Sequence, residues 1–169
     1  MKTVFFLAML CIVQSCIGQS QKCECDGFLI PDKKIILLYK NANSKKVVYN
    51  INNDSINESY YSLSIKESNK NFLKVIPTSI NDTVKKSGWI KNDNVGIYSA
   101  TYNRVLHLYT KPDKQSHILF SIEKYFTQPL TIISCSGKWL NVEVKLKNKV
   151  YKGWMAPEDQ CANVYSTCN

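Results

Sequence analysis

The chain has 169 residues, a formal net charge of +9 and 21% charged residues, enough material for one ordinary domain or two small ones. Its basic surplus is spread thinly, with no run of like charge, and Arg104 is its only arginine. Bidentate reading of bases and phosphates leans on arginine, so these numbers exclude a dedicated nucleic-acid binder and leave nonspecific contact with anionic polymers of a cell envelope.

The first residues, MKTVFFLAMLCIVQSC, place Lys2 before an apolar run from Val4 to Val13 and then small or polar residues. That is the layout of a secretory signal over residues 1–18, with an apolar run too short to span a bilayer. Two outcomes stay open: a cut after Gly18, or a loose lipobox ending at Cys16 that acylates this cysteine. Either way the expected location is outside the cytoplasm, in the periplasm, at the cell surface or secreted, with membrane contact only through the lipid anchor. Removing Lys2 lowers the net charge from +9 to +8. Residues 19–27, containing Cys23 and Cys25, form a short cysteine-bearing segment ahead of the main body.

Residues 28–103 and 104–169 then repeat one another. ILLYKNANSKKVVYNI (Ile36 to Ile51) matches LHLYTKPDKQSHILFSI (Leu106 to Ile122), and LSIKESNKNFLKV (Leu63 to Val75) matches LTIISCSGKWLNV (Leu130 to Val142). Each copy continues through a polar loop to a Gly-Trp pair, Gly88-Trp89 and Gly153-Trp154, and closes on GIYSAT or NVYSTC. Segments that recur in the same order at similar spacing mark an internal duplication. Both copies read as short strands: Leu130, Ile132, Leu140, Val142 and Val144 alternate with other residues at period two, and NANSKK, NKN and SGK interrupt the runs. No helical stripe is present. The expected fold is all-β, two small barrels in tandem, because an open sheet of each copy's size leaves long edges.

Leu108-Tyr109, Pro112-Asp113, Trp139-Leu140-Asn141-Val142 and Gly153-Trp154 together make the second copy resemble the bacterial Src-homology-3-like (SH3-like, SH3b) domain. The first copy departs from this pattern, with Phe72 in place of the tryptophan and Ala42-Asn43 in place of Pro-Asp. The resemblance implies recognition of peptide or peptidoglycan by a non-catalytic binding module. A stand-alone protein-interaction module, such as an inhibitor or immunity partner of a secreted toxin, is the alternative.

The cysteines follow the duplication. Cys161 falls opposite Asn94 and Cys168 opposite Thr101, so the copy lacking one lacks both, and a Cys161–Cys168 disulfide is expected to staple the C terminus. Cys135 is expected to bond Cys23 or Cys25, leaving one thiol over. Zinc needs four ligands, and Cys-Glu-Cys with only His107 and His117 elsewhere does not supply them, so no metal and no cofactor is expected.

Catalytic arrangements are absent from the pattern. Cys135 with His107 or His117 is the one thiol–imidazole combination within the repeats, and Glu158-Asp159 reads as a solvated turn. No enzyme is expected. The tripeptides starting at Asn53, Asn57 and Asn81 read as loop composition. Recognition falls to aromatic residues on the outward face: Phe72 and Trp139, whose neighbours Leu73 and Leu140 point inward, with Tyr39 and Tyr109 beside Leu38 and Leu108. Tyr125, Phe126 and Tyr151 complete the candidate ligand-binding set of the second copy, whereas Trp89 and Trp154 are expected in the core.

Overall fold

Side chains at alternate positions of a strand face opposite sides, so each period-two run above has one face free to meet a core. The computed structural model of the chain describes residues 20–30, 35–80, 86–100, 105–123, 126–163, 165 and 168, and these form an all-β protein with two 3-10 turns. The signal region with Cys16, and Tyr125, lie outside the described residues.

A first strand, β1 (Gln21–Leu29), precedes the repeats. The first repeat contributes β2 (Ile36–Tyr39), β3 (Val47–Ile51), β4 (Ser62–Asn69), β5 (Phe72–Thr78), β6 (Gly88–Lys91), a 3-10 turn at Asn92–Asn94 and β7 (Val95–Ser99). The second runs through the same series: β8 (Leu106–Tyr109), β9 (Ile118–Ile122), β10 (Leu130–Ser136), β11 (Trp139–Leu146), β12 (Lys149–Met155), a 3-10 turn at Pro157–Asp159 and β13 (Gln160–Cys161).

The strands join one antiparallel sheet in the order β3-β2-β6-β5-β4-β1-β7-β10-β11-β12-β8-β9, with β13 added beside β7. From one end the order is β3-β2-β6-β5-β4; from the other it is β9-β8-β12-β11-β10. The sequence repeat is thus a repeat of topology. The path is open, since β3 and β9 lie at its two ends, and the halves are joined through β1 and β7 in its middle. β7 pairs with β1 at Gly96 and Val95, with β10 at Ile97 and Gly96, and with β13 at Ser99 and Tyr98.

QKCECDGFL carries no strand expectation, yet as β1 it crosses residues 27 and 28 and pairs with β4 from Gln21↔Ser68 to Phe28↔Ser62. Cys23, Cys25 and Gly27 are buried while Lys22, Glu24 and Asp26 are exposed, so the alternation is real although its inward residues are small. A disulfide joins Cys23 to Cys135 of β10, and around it Glu24 N donates to Gly137 O (2.7 Å) and Gly137 N to Lys22 O (3.1 Å).

The core is continuous across both halves. Leu38, Leu63, Ile65, Leu73, Val75 and Ile90 of the first repeat and their counterparts Leu108, Leu130, Ile132, Leu140, Val142 and Met155 belong to one buried cluster with Cys23, Cys25 and Cys135. At about 1.5–3 kcal/mol for each large aliphatic side chain fully buried, this shared core is the main force holding the halves together.

The C-terminal segment is held at several points. A disulfide links Cys161 and Cys168. Between them the Tyr165 hydroxyl accepts a hydrogen bond from Tyr60 N (3.0 Å), and its ring meets Tyr60 edge to face at 5.6 Å between centroids. In the first repeat the strand after the 3-10 turn, β7, is held instead by β1, through Phe28↔Gly96 and Leu29↔Val95.

Candidate functional site

Each half carries a row of aromatic rings on the face turned away from the core, and the Gly-Trp pair explains how it arises. On β6 and β12 the inward positions belong to Gly88 and Gly153, not to the tryptophans. A Cβ on Gly88 would lie 2.8 Å from Leu38 Cβ, and one on Gly153 would lie 2.8 Å from Leu108 Cβ. Glycine is required there for the strands to meet, and it sends the next residue to the opposite face. The expectation of core tryptophans is therefore corrected for Trp154, whereas Trp89 is buried as expected. Trp154 is half-buried, and Trp89, although 9% exposed, has the parity opposite to Gly88 and Ile90.

The row is the same in both halves. In the first, Trp89 of β6 lies across from Tyr39 of β2 and from Lys74 of β5, and the Tyr39 and Phe72 rings meet edge to face at 6.1 Å. In the second, Trp154 of β12 lies across from Tyr109 of β8 and from Asn141 of β11, and the Tyr109 and Trp139 rings meet edge to face at 5.8 Å. His107 extends the second row, its ring 6.3 Å from Tyr109 while its Nδ1 shares a 2.8 Å hydrogen bond with Ser121 Oγ. Phe72 and Trp139 are half-buried, one edge packed and the other open. Edge-to-face rings at these distances stabilise one another by about 0.5–1.5 kcal/mol per pair and form a rigid, largely apolar surface.

Behind the rings the halves differ. Glu67 lies across from Lys74, and the Lys74 ammonium donates to the Glu67 carboxylate at 2.6 Å, which holds the Glu67 pKa below the usual glutamate range. The corresponding residues of the second half are Ser134 and Asn141, also directly across from each other. Asn141 Oδ1 is buried with no hydrogen-bond partner among the described residues. One residue pair further along, Glu143 binds Lys152 at 3.0 Å.

Other candidate residues lie elsewhere. Tyr151 has the inward parity of Gly153 and Met155 and stacks on Phe120 with centroids 3.7 Å apart. Phe126 packs against the buried cluster. Neither joins the aromatic row. Cys135 is bonded to Cys23 and so offers no thiolate to His107 or His117. Cys25, the remaining thiol of the three, is buried and donates to Gly137 O at 3.1 Å. Burial pushes it up to about 11, so it stays protonated and unreactive near neutral pH.

Glu158 pairs with Lys114, whereas Asp159 is buried, which corrects the expectation of a wholly solvated turn. Asn53 is structural, with Nδ2 donating to Leu29 O (2.9 Å) and Oδ1 accepting from Tyr61 N (3.0 Å). Among the described residues no group of three or more His, Cys, Asp and Glu side chains is arranged to hold a metal, and no helix is long and apolar enough to cross a membrane.

No family model matches the chain, and no curated protein is similar to it. Among solved structures it is similar to that of NlpC2 from Trichomonas vaginalis, at 15% identity over 83% of this chain and 48% of that one, with a TM-score of 0.32. It is similar also to that of NlpC1 from Trichomonas vaginalis, at 17% identity over 90% of this chain and 50% of that one, again with a TM-score of 0.32. The chain thus spans about half the length of either protein, and matches at this score carry no argument about its fold or activity.

Proposed function

We propose that the chain is an exported, non-catalytic binding module made of two SH3-like units in tandem, fused through β1 and β7, which recognises peptide or peptidoglycan in a bacterial cell envelope. The observation that carries this reading is the duplicated outward row, Tyr39, Phe72 and Trp89 in one half and Tyr109, Trp139 and Trp154 in the other. A large apolar ring left partly open at the same place in both repeats suits contact with another molecule. Two disulfides favour maturation in an oxidising compartment, in keeping with the signal-like first residues. The identity of the first repeat as an SH3-like unit rests on its strand order, which repeats that of the second.

Cosedimentation of residues 19–169 with purified peptidoglycan sacculi over a salt series tests the reading, with Phe72→Ala and Trp139→Ala alongside. Binding that survives high salt and falls at least tenfold in a folded aromatic variant supports wall recognition. Binding that salt abolishes and both variants retain reduces the wall to a charge effect. In that case stoichiometric capture of an envelope or toxin protein becomes the leading explanation.

A further inference from the structure

We propose that β9 is a self-association edge: two copies of the chain join β9 to β9 in antiparallel register, extending their sheets across a twofold axis. The proposal goes beyond the binding-module reading and is independent of it. Among the described residues β9 pairs only with β8, so it ends the sheet and turns a row of main-chain N–H and C=O groups to solvent. It also exposes apolar side chains that the core does not use. Ile118 and Leu119 are 41% and 53% exposed, and Val150, next to the Tyr151 that stacks on Phe120, is exposed as well. An edge strand of this kind is a template for another strand, and soluble proteins ordinarily blunt it with charge or proline.

The first repeat shows such a guard, and the second lacks it. β3 is the equivalent end of the sheet and exposes Val47 and Val48 at the positions of Ile118 and Leu119. It is entered through Lys45 and Lys46, both exposed, whose ammonium groups lose hydration when a second strand covers them. β9 contains no charged residue and is entered through Ser116 and His117. The duplication therefore leaves one edge protected and the other open.

What fits the open edge is β9 itself. Antiparallel pairing centred on Phe120 sets Ile118 against Ile122 of the second copy and Leu119 against Ser121, with every contact made twice by symmetry. Ile118 has the inward parity of Phe120 and Ile122, so the facing isoleucine continues the apolar core over it. His117, just before the strand, meets Glu123, just after it, so an imidazole faces a carboxylate at each end and no like charges oppose. Strand pairing is also how the chain joins its own halves, through two residue pairs between β7 and β10.

Sedimentation equilibrium of residues 19–169 over a concentration series tests the proposal, with Leu119→Lys and Val48→Lys alongside and amide hydrogen exchange on the unchanged chain. Five paired residues a side make a small interface, so the expected species is a weak dimer with a Kd of about 10–100 μM. Leu119→Lys places a charge on the open edge at a half-exposed position and is expected to raise Kd at least about tenfold. Val48→Lys, the matching change on the guarded edge, leaves Kd within about twofold. Amides of residues 118–122 gain protection as concentration rises, while those of residues 47–51 do not. Both molecules are basic, so salt that screens their repulsion strengthens the dimer.

Several results overturn the proposal. A chain still monomeric at about 500 μM does so, as does a dimer whose Kd Leu119→Lys leaves unchanged. Larger species lost in both lysine variants mean head-to-tail pairing of β3 with β9 and remove the twofold arrangement. A dimer that salt dissolves is held by charge and not by the edge. If Leu119→Lys fails to fold in a thermal melt, hydrogen exchange on the unchanged chain decides alone: protection gained away from residues 118–122 places the contact elsewhere.

Discussion

The two halves share strand order, core positions and a three-ring row, and they part at the residues facing away from the core. Inward pairs are conservative: Leu38 and Leu108, Leu63 and Leu130, Ile65 and Ile132, Leu73 and Leu140, Val75 and Val142. Outward pairs change charge and size, with Glu67 against Ser134 and Lys74 against Asn141. The same holds beside the core, where Lys86 lies 5.9 Å from the Tyr49 ring centroid while its counterpart Tyr151 stacks on Phe120. Inward volume is constrained by close packing, so it persists through the duplication, whereas outward chemistry is free to diverge.

The largest expected effect separates the joint between the halves from the end of the second. The Cys23–Cys135 disulfide spans a sequence separation of 112, and Cys161–Cys168 spans 7. Loop-closure entropy then predicts that Cys23→Ser/Cys135→Ser loses about 5 kcal/mol and Cys161→Ser/Cys168→Ser about 2 kcal/mol. Urea unfolding of the oxidised proteins measures both. The reverse ranking would mean that the sheet and core alone secure β1, and that the C-terminal loop holds the halves through Tyr165 on Tyr60.

Much of the repeated half was legible in the sequence, because alternation sorts Leu140, Val142 and Val144 from Trp139, Asn141 and Glu143 without any tertiary information. β1 was hidden since its inward residues include Cys23, Cys25 and Gly27, which add little to a hydrophobic pattern, although Cys-Glu-Cys-Asp-Gly already alternates. The pairing of β7 with both β1 and β10 has no local signal, so nothing in either repeat announces that their sheets merge. Trp154 was misplaced for a simpler reason, while Trp89 is buried although its parity points away from the core. Counting parity back from the buried Ile90 and Met155 puts the glycines inside and the indoles out, but a large apolar residue draws the core assignment before a glycine does. Asn141 could not be singled out, because an unpartnered atom is a property of its neighbours.

A second comparison asks whether the halves melt together. Gly88→Ala and Gly153→Ala each force a Cβ to within 2.8 Å of a buried leucine Cβ, one in each half. Overpacking of this kind costs about 1–3 kcal/mol. Since one sheet and one buried cluster run through both halves, each variant is expected to lower the midpoint of one shared transition by a similar amount. Calorimetric scans that split into two peaks, with each alanine shifting only its own, would break the picture of a fused pair and restore two independent domains.

The smallest effect lies in matching hairpin turns, where backbone strain can be separated from packing. The β4–β5 turn places Lys70 at φ 50°, and the β10–β11 turn places Gly137 at φ 55°. Both are left-handed, a conformation that costs an L-residue roughly 1 kcal/mol and glycine almost nothing. A Cβ on Gly137 meets no atom within 4 Å, so a side chain there adds backbone strain without a clash. Exchanging the residues should therefore act in opposite directions: Lys70→Gly raises stability by up to about 1 kcal/mol, offset in part by the greater freedom of glycine in the unfolded chain, and Gly137→Lys lowers it by about 1 kcal/mol. Gly137 also bonds β1 through both its N–H and its carbonyl, whereas the turn at Lys70 is tied by Asn71 O, which accepts from Asn92 N (3.0 Å). A loss in Gly137→Lys well above the gain in Lys70→Gly, measured by urea midpoints at equal slope, would show that the turn anchors the joint as well as reversing the chain.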